Sequence, residues 1–456
     1  MKLNYIELKK EVPIREEKYD VVVVGGGTAG TVAAISAGRE RLKTLVVEQF
    51  GCLGGSQTVG LVTPMMHNHI EGNPYSSAID EEICDRMISY GYGYKDAGGN
   101  KGWFDPQMLK LVLEEMVAEA GCEILYHTSM VDVIKEGQKI KAIVLHNKDG
   151  LFAVEAKVFI DCTGDADVVY YAALPYDMGN EEGINQAVSL RFQMTNVDCK
   201  RFGEYLESLG QKEATQYPYI HTAVVKGGCW PLNRIFEEKV EERILTEQDL
   251  NYFQVFSVPG RPRDLAFNCP ELGGTKNVID GRYTSRKQIE GKKAILRLVR
   301  FLKEYIPGFE NAYICDIAAV VGVRESRRAE TEYVLTADDV LNYRKFEDGI
   351  ARTNYPVDIH GYSGKLECAS QEVAEKYYEI PYRSLVVKGV DNLLVAGRCI
   401  GADFIAQSSL RVQQTCRAMG EAAGIAAKLA IQKNVPCRDV DGREVRDVMR
   451  RRGGKL

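Results

Sequence analysis

Three glycines and one glutamate near the N-terminus have the spacing of a nucleotide-binding motif. Gly25, Gly27 and Gly30 follow the pattern G-x-G-x-x-G, and Glu48 lies roughly 20 residues further along the chain. In this motif the first glycine permits a tight turn, the second lets a pyrophosphate approach the backbone, and the third allows close packing of a helix. The acidic residue accepts hydrogen bonds from ribose hydroxyls. The predicted chemistry is therefore the binding of a dinucleotide.

A second group of residues could bind an anion. Arg324, Glu325, Arg327 and Arg328 follow a strand-like run at residues 313–321. Arginine binds carboxylates through paired hydrogen bonds, so three arginines at the mouth of a buried strand favour a substrate carboxylate as ligand. Surface salt bridges and buried structural networks use the same residue types, and both remain alternatives.

Proton transfer needs a side chain that titrates near neutral pH, and the chain has six histidines. His360, in the polar segment YPVDIHGY, is the predicted general acid or base. Tyr382 and Arg383, in the segment IPYRSL, could line the same pocket. The alternative for these residues is a hydrogen-bonded junction between domains.

The elements around the glycines are those that the motif requires. Residues 21–24 are consecutive valines, a run typical of a strand buried on both faces. The small residues at 33–37 predict a helix whose N-terminal N–H groups bind phosphate oxygens. A second strand is expected at residues 44–47, directly before Glu48. An isolated G-x-G-x-x-G pattern also fits an ordinary glycine-rich turn, but these surroundings favour the nucleotide.

A glycine-rich segment follows at residues 51–60 and includes Gly54 and Gly55. Such a density of glycine is typical of backbone that passes close to a ligand. Ser56 is among the side chains that could donate to that ligand. A flexible connector is the alternative.

Residues 65–120 are predicted to form a helical insertion, and residues 123–160 a β-meander. The meander ends in a buried strand that stops before Thr163, Gly164 and Asp165. Ligands of α/β sheets bind at the carboxyl ends of strands, so Asp165 could hold a ligand hydroxyl. A capped turn that leads into a helix is the alternative.

The middle of the chain, from residue 186 to 275, mixes alternating strands with polar helices and predicts a second domain. A long amphipathic helix is expected at residues 284–305, with one apolar face turned to a core. The residues of that face are Ile289, Ile295, Leu296, Val299 and Leu302.

The closing segment is expected to complete the first domain, with a buried strand at residues 392–396 and a helix at about 410–431. Gly420 and Gly424 lie on one face of this helix. Glycine within a helix costs about 0.5–1 kcal/mol relative to alanine, which predicts compensation by close packing against another backbone. The helix start at residues 408–411 would direct its partial positive charge toward the nucleotide.

The charge balance argues against nucleic acid as a partner. The formal net charge is −6, and the basic residues at 443–455 are expected to form a solvated terminal helix. No run of about 18 apolar residues occurs, so no membrane partner is expected. The first 18 residues contain several Lys and Glu in place of a signal peptide. The expected location is cytoplasmic.

The twelve cysteines are scattered along the chain without a C-x-x-C pair. Structural zinc and iron–sulfur clusters usually take ligands from closely spaced cysteines. The cysteines are therefore expected to be reduced, mostly buried thiols, and no metal site is expected.

Together these patterns predict an α/β protein. It comprises a Rossmann-like nucleotide-binding domain, with a parallel sheet and a β-meander, and a mixed α+β substrate domain. The predicted boundaries are 1–185 for the N-terminal part of the nucleotide-binding domain, 186–375 for the substrate domain, 376–435 for the C-terminal part of the first domain, and 436–456 for a tail.

Several segments resemble the glutathione-reductase-like class of FAD proteins, and more closely the FAD-dependent oxidoreductase family related to the FAD subunits of heterodisulfide reductase. They are VVVVGGGTAGTVAA with Glu48, CLGGSQTVGLVTPM, DCTGDAD, GVRESRR, YPVDIH, IPYRSL and NLLVAGRCIGADFIAQSSLRVQQTCRAMGEAAG. The resemblance covers nearly the whole chain. It implies an FAD that is bound by the N-terminal fold and enclosed by the C-terminal strand and helix, beneath a substrate domain.

Carried over by position, the resemblance implies two groups of FAD-binding residues. The ADP half would contact Gly25, Gly27, Gly30 and Glu48. The ribityl chain and ring would lie among Gly54, Gly55, Asp165, Gly397, Asp403, Leu410, Arg411 and Val412. Further predicted cofactor-binding residues are Thr28, Ala29, Gln49, Ser56, Thr163, Gly164 and Ser409.

The predicted catalytic residues are His360, Arg324, Glu325, Arg328, Tyr382 and Arg411. Arg411, in the first turn of the closing helix, would stabilise a negatively charged reduced flavin. One of His67 and His69 could carry a covalent flavin link or donate a proton, and polar loop histidines are the alternative.

The chain departs from the family's pattern in two ways. It has no second G-x-G-x-x-G between residues 165 and 390, so no NAD(P)H domain is expected, and it has no redox C-x-x-C pair. Electrons would therefore enter or leave through the substrate, through a nicotinamide that docks transiently, or through a partner protein.

The predicted function is that of a single-flavin oxidoreductase in which a small polar substrate exchanges a hydride with flavin N5. Arginine and histidine or tyrosine side chains would bind the substrate and move the proton. The alternative is a flavin electron-transfer subunit that passes electrons to an iron–sulfur partner protein. A third class, in which FAD serves structure or RNA modification, fits the acidic charge balance less well. The enzyme class favours a homo-oligomer.

Overall fold

The computed structural model describes residues 10–66, 70–361 and 376–456. The predicted flavin link at His67 or His69 falls outside these residues. The described strands are β1 (Ile14–Val24), β2 (Thr44–Val47), β3 (Gly93–Tyr94), β4 (Trp103–Phe104), β5 (Glu123–Leu125), β6 (Ser129–Glu136), β7 (Lys139–Asn147), β8 (Gly150–Asp161), β9 (Tyr176–Met178), β10 (Val188–Ser189), β11 (Phe192–Thr195), β12 (Thr215–Gln216), β13 (Tyr219–Val225), β14 (Tyr252–Val258), β15 (Arg261–Phe267), β16 (Glu271–Leu272), β17 (Tyr313–Ile317), β18 (Arg327–Ala329), β19 (Gly349–Thr353), β20 (Tyr378–Pro381) and β21 (Leu393–Val395). The described α-helices are α1 (Thr28–Arg39), α2 (Ala78–Ser89), α3 (Pro106–Glu119), α4 (Asp167–Tyr171), α5 (Cys199–Ser208), α6 (Asn233–Glu241), α7 (Glu247–Asn251), α8 (Gly281–Tyr305), α9 (Ala337–Leu341), α10 (Phe404–Leu410), α11 (Gln413–Lys433) and α12 (Gly442–Arg451).

The first sheet has the strand order β5-β2-β1-β8-β7-β6, and β21 pairs with β8. Strands β5, β2, β1, β8 and β21 are parallel neighbours, whereas β8, β7 and β6 form an antiparallel meander. Val22 on β1 lies opposite Leu45 on one side and Phe159 on the other, and all three side chains are buried. The predicted α/β fold, with its parallel sheet, its meander and a last strand from the C-terminal part, is confirmed.

Helix α1 packs against α11, and the two internal glycines of α11 make this close approach possible. A Cβ atom on Gly420 would lie 2.2 Å from the backbone oxygen of Ala29. A Cβ atom on Gly424 would lie 2.8 Å from the backbone oxygen of Ala33. The predicted contact between backbones is confirmed, and it holds the start of α1 in place.

Replacing Gly420 by alanine is therefore expected to lower the free energy of unfolding by about 1–3 kcal/mol, because the added methyl group must displace a helix backbone. Urea denaturation measures this change. Gly281→Ala is the matched control, since a Cβ atom at Gly281 in α8 meets no atom within 4 Å. Equal stability of the Gly420→Ala protein and the control would contradict the packing argument.

The second sheet is built from the middle of the chain, in the order β12-β13-β14-β15-β11-β17. Its neighbouring strands pair antiparallel. Phe192 stacks on Phe267 at 4.4 Å between ring centroids, within a hydrophobic cluster that also includes Phe236 and Phe301 from the helices. From Ala329 onward the buried apolar residues belong again to the cluster around the first sheet. The domain boundaries themselves stay a prediction.

Helix α8 begins at Gly281, and Asp280 caps it by accepting from the N–H of Arg282 at 2.7 Å. The predicted apolar face is wrong in part. Ile289 and Leu296 are 58% and 49% exposed, whereas the other three members are buried. The buried face is completed by Gly291, Ala294, Leu298 and Phe301.

Candidate active site

A cavity of about 550 Å³ is lined by residues of both sheets. Its wall from the first sheet and the C-terminal helices includes Gly25, Gly27, Thr28, Ala29, Glu48, Gln49, Gly55, Ser56, Thr163, Gly164, Asp165, Gly397, Arg411 and Val412. Its opposite wall includes Ser189, Arg191, Tyr252, Gln254, Asn268, Arg324, Asp358 and His360. Nucleotide-binding and catalytic candidates thus share one space.

The three motif glycines differ in what surrounds them. Gly25 has a φ of +92°, and a Cβ atom there would lie 2.6 Å from the carbonyl oxygen of Cys162. A Cβ atom on Gly30 would lie 1.8 Å from the carbonyl oxygen of Gly25. At Gly27 the nearest protein atom would be 3.9 Å away, so the space beside it is open to the cavity. The turn and the packing require Gly25 and Gly30, and only Gly27 leaves room for a ligand.

Helix α1 begins at this open space. Its N-cap residue is Gly27, which has no side chain to accept from the first-turn N–H groups. Thr28 and Ala29 line the cavity at the same place. An α-helix leaves its first N–H groups without partners inside the helix, so this end of α1 can bind an anion such as a diphosphate.

Glu48 follows β2, where its buried carboxylate is fixed by backbone donors. Its Oε2 atom accepts from the N–H of Gly26 at 2.8 Å, and its Oε1 atom accepts from the N–H of Phe50 at 2.8 Å. Burial raises the pKa of Glu48, although these two N–H groups oppose the rise. Each carboxylate oxygen can accept more than one hydrogen bond, so Glu48 can also accept from ribose hydroxyls.

Replacing Glu48 by glutamine is expected to weaken FAD binding about tenfold, because hydrogen bonds to a charged acceptor are stronger than those to a neutral one. Fluorescence quenching of added FAD measures the dissociation constant of the apoprotein. Glu136→Gln, an exposed change of the same type on β6, is the control. An unchanged dissociation constant in Glu48→Gln would contradict the ribose contact.

The glycine-rich segment after β2 lies against the glycine turn. The N–H of Gly54 donates to the carbonyl of Gly26 at 2.8 Å, and a Cβ atom on Gly55 would lie 2.9 Å from the Cα atom of Gly27. The hydroxyls of Ser56 and Thr28 are 3.2 Å apart. The segment thus forms part of the cavity wall.

The residues after β8 also reach the cavity. Asp165 accepts from Arg398 at 2.7 Å and from the hydroxyl of Ser326 at 2.5 Å. Burial raises the pKa of Asp165, but Arg398 and Ser326 outweigh burial and hold it below its ordinary value. The Thr163 side chain caps the following turn by accepting from the N–H of Asp167 at 3.0 Å. Asp165 therefore presents a charged acceptor to a ligand.

The C-terminal residues differ from the prediction. Helix α11 begins at Gln413 with Val412 as its N-cap, whereas Arg411 follows the end of α10. The expected helix start at residues 408–411 is therefore wrong: residues 408–410 are the last turn of α10. Gly397, Arg411 and Val412 line the cavity.

Three other predicted cofactor residues serve the local fold. Asp403 caps α10 by accepting from the N–H of Ala406 at 2.7 Å. The hydroxyl groups of Ser409 and Tyr378 are hydrogen-bonded to each other at 2.7 Å. Leu410 is part of the buried core.

The residues present fit the FAD that the resemblance implies. Gly27 leaves open space beside a helix start that lacks an acceptor, and Glu48 has lone pairs available. The cavity then continues past Asp165 to the opposite wall.

A charged cluster joins that opposite wall to Arg411 of the first wall. Nδ1 of His360 is 2.5 Å from Glu271, and Nε2 is 3.1 Å from Asp358. Arg411 donates to Asp358 at 3.3 Å, and Arg324 lies 3.9 Å from Glu271. Three predicted catalytic residues, His360, Arg324 and Arg411, are thus brought together.

Both nitrogens of His360 face carboxylates, and both can donate only when each carries a proton. Burial raises the pKa of Asp358, but His360 and Arg411 outweigh burial and hold it well below its usual range. Burial likewise raises the pKa of Glu271, and His360 and Arg324 hold it below its ordinary value. Both carboxylates stay charged at neutral pH, so they hold the imidazole ring between them.

The other predicted catalytic residues lie outside the cavity wall. Glu325 and Arg328 form a buried ion pair, and Glu325 also accepts from Asn185 at 2.7 Å. Arg328 donates to the carbonyl of Ala402 at 2.9 Å. Tyr382 is buried and donates to the carbonyl of Cys437 at 2.8 Å. These contacts correspond to the structural alternative for this cluster and for Tyr382, and the catalytic roles of these residues stay predictions.

Several residues of the site were missed by sequence reasoning. Glu271, which belongs to β16, contacts His360. The cavity residues Tyr252 and Asn268 come from β14 and the end of β15. The Tyr252 hydroxyl accepts from Asn268 at 3.1 Å. Ser189 and Arg191 also belong to this wall. Each is a single residue without a motif, and only the pairing of strands brings them together.

Two structural expectations concern metals and membranes. Among the described ranges 10–66, 70–361 and 376–456, no group of three or more His, Cys, Asp or Glu side chains has the arrangement of a metal site. In the same ranges, no helix combines the length and the apolar character needed to span a membrane.

Comparisons with known proteins agree with the motif. The family model described as FAD dependent oxidoreductase matches residues 20–449. Digeranylgeranylglycerophospholipid reductase of Thermoplasma volcanium is 28% identical over 193 residues, which are 40% of this chain and 48% of the relative. Thiamine thiazole synthase of Methanococcus vannielii is 31% identical over 162 residues, which are 33% of this chain and 58% of the relative. The chain spans about half the length (48–58%) of these curated relatives.

Solved structures of flavoproteins are similar at lower identity. A geranylgeranyl bacteriochlorophyll reductase-like protein of Thermoplasma acidophilum is 15% identical, with 95% of this chain and 83% of that chain covered and a TM-score of 0.45. p-Nitrophenol 4-monooxygenase of Pseudomonas putida is 12% identical, with 95% and 86% covered and a TM-score of 0.49.

Proposed function

Because the chain belongs to the FAD dependent oxidoreductase family, we propose that it is an enzyme that holds FAD in the shared cavity and oxidises or reduces a small polar substrate there. The observation that best supports this proposal is that the cavity is continuous. It extends from the helix start at Gly27 to the charged cluster of His360, Arg324 and Arg411. A cofactor and a substrate can therefore meet in one continuous cavity.

The proposed division of residues follows the two walls. Gly25, Gly27 and Glu48 hold the ADP half of FAD, and Asp165 and Gly397 lie along the remainder. When bound, FAD supplies hydride exchange at flavin N5. The protein's part is to orient the substrate and to provide or accept a proton.

The proton is proposed to move at Nε2 of His360. Glu271 holds Nδ1 from the opposite side at 2.5 Å, which fixes the orientation of the ring. Asp358, 3.1 Å from Nε2, holds the ring from the other side. Arg324 and Arg411 add positive charge beside the reacting groups and can bind polar substrate atoms.

The test begins with the absorbance spectrum of the purified protein. Bound oxidised flavin should give its visible bands, and protein that stays colourless after incubation with FAD would contradict the proposal. Anaerobic photoreduction should then be followed by screening of small acids, sugars and enones for reoxidation. NADH and NADPH added to the oxidised protein test a transient nicotinamide donor.

The same preparation tests the electron-transfer alternative and the relation to heterodisulfide reductase. A stable iron–sulfur protein that co-purifies and reoxidises the photoreduced flavin would favour the alternative. Rapid reoxidation by a small molecule without any partner would favour the enzyme.

A further inference from the structure

Resting on the proposed function, we propose that the substrate carries a carboxylate and that Arg191, together with Arg324, binds that group. Arg191 has no assigned role in the charged cluster described above. The pair would fix the orientation of the substrate, and it defines the substrate class as carboxylic acids.

Arg191 differs from Arg398 and Arg411 of the cavity wall in its partners. Its NH1 group donates to the carbonyl oxygen of Thr63 at 3.3 Å. Within the part of the chain that the structure describes, no carboxylate lies within 4.0 Å of its guanidinium group. Arg398, in contrast, pairs with Asp165 at 2.7 Å, and Arg411 pairs with Asp358 at 3.3 Å. Arg191 therefore retains donors for a ligand.

Arg324 is paired only weakly. Its NH2 group is 3.9 Å from Glu271, and its NH1 group donates to the carbonyl of Ala187 at 2.7 Å. Glu271 is itself much closer to His360, at 2.5 Å. The carboxylate nearest to Arg324 is thus already held by His360.

The charges of the cluster leave an excess of positive charge. Arg191, Arg324 and Arg411 carry three positive charges, and the carboxylates Glu271 and Asp358, which contact Arg324 and Arg411, carry two negative charges, so one positive charge in this group is left over. Burial lowers the pKa of Arg191 to about 9, and the nearby Arg324 contributes to the lowering. Arg191 is still charged at neutral pH. Charge left without a partner in a buried wall is costly, and an anionic ligand removes that cost.

The position of Arg191 also favours a substrate group over the cofactor's diphosphate. It lies between β10 and β11, on the wall formed by the second sheet, whereas the glycine turn and α1 belong to the other wall. A planar guanidinium group forms paired hydrogen bonds with a carboxylate. The proposed acid would therefore bind beside His360, with its carboxylate directed away from the glycine turn.

The experiment uses the FAD-loaded protein and two pairs of probes, benzoate with benzamide and lactate with lactamide. Each probe is titrated at constant ionic strength, and the change in the visible flavin spectrum gives its dissociation constant. In the wild type, each acid should bind at least tenfold more tightly than its amide. Arg191→Met should bind the acids about 10- to 100-fold more weakly than the wild type does. Its dissociation constants for the amides should change little. Arg191→Lys should retain part of the acid preference.

Arg300→Met is the charge-matched control, since Arg300 is exposed on α8. Acids that bind no better than amides to the yellow wild-type protein would overturn the proposal, and so would an acid preference that Arg191→Met retains. If Arg191→Met does not bind FAD, the difference between acid and amide binding in the wild type and in Arg191→Lys tests the proposal instead. These results differ from failure of the proposed function, in which the wild type binds no FAD or exchanges no electrons with any substrate.

Discussion

Replacing His360 by glutamine is expected to slow the reaction of the flavin with substrate by about 10²–10⁴-fold, which is the usual contribution of a general acid or base. Glutamine keeps a polar side chain of similar reach but cannot carry a transferable proton. Both nitrogens of His360 face carboxylates. His360 is also the only histidine of the described cavity wall, so its replacement leaves that wall without an imidazole. Stopped-flow absorbance of the flavin, with a substrate found in the reoxidation screen, measures the rate.

The FAD content separates a chemical role from a structural one. His360→Gln should retain FAD while its reaction with substrate slows. His146→Gln, an exposed histidine change on β7, is the matched control. A His360→Gln protein that reacts as fast as the wild type would show that the proton comes from another group.

Replacing Gly27 by valine is expected to weaken FAD binding by roughly 10²–10⁴-fold without unfolding the protein. The side chain would occupy the space beside the start of α1, where no protein atom lies closer than 3.9 Å to the added Cβ. It would keep a diphosphate from at least two backbone N–H groups, and each hydrogen bond to a charged group is worth about 1.5–3 kcal/mol. Gly27 has a φ of −74°, which other residues adopt freely.

Two measurements check this prediction, the dissociation constant of FAD and the thermal melting of the apoprotein. Melting should stay close to that of the wild type, because the added Cβ atom meets Gly55 only at ordinary contact distance and the side chain can extend into the cavity. Gly281→Val is the control for the substitution itself, since a Cβ atom at Gly281 also meets open space. Normal FAD affinity in Gly27→Val would mean that the diphosphate binds elsewhere.

The first sheet and the glycine turn could be predicted because their signals are local. Consecutive valines, the spacing of Gly25 and Gly30, and the acid at Glu48 each follow from contacts within about 30 residues. The close packing at Gly420 could also be predicted, because a helix tolerates internal glycine at a cost that something must offset. The sequence indicates that Gly420 packs closely, although its partner in α1 is distant in the chain.

Features that depend on tertiary structure were predicted less well. The chain breaks between α10 and α11 at Val412, which adopts an extended conformation. Neither proline nor glycine marks this break, so the sequence contains no signal for it. The prediction of the apolar face of α8 was wrong in part because Ile289 and Leu296 are apolar residues on the exposed side of the helix. Periodicity alone could not tell which of two apolar sides faces the core.

The charged residues show the same limit. Arg324 and Arg328 are only four positions apart, yet the first lines the cavity and the second is held in a buried ion pair. The sequence presents them as one group. Arg191 reaches the cavity, and Glu271 reaches His360, from separate segments that carry no motif, so only the folded chain reveals their place in the site.

The account depends on FAD occupying the cavity between the two sheets. A crystal structure of the protein with FAD tests this most directly. We expect the diphosphate at the start of α1 beside Gly27, the ribose at Glu48, and the flavin ring on the side of Arg411 and His360. FAD bound at any other place, or a ring that lies away from His360, would contradict the account.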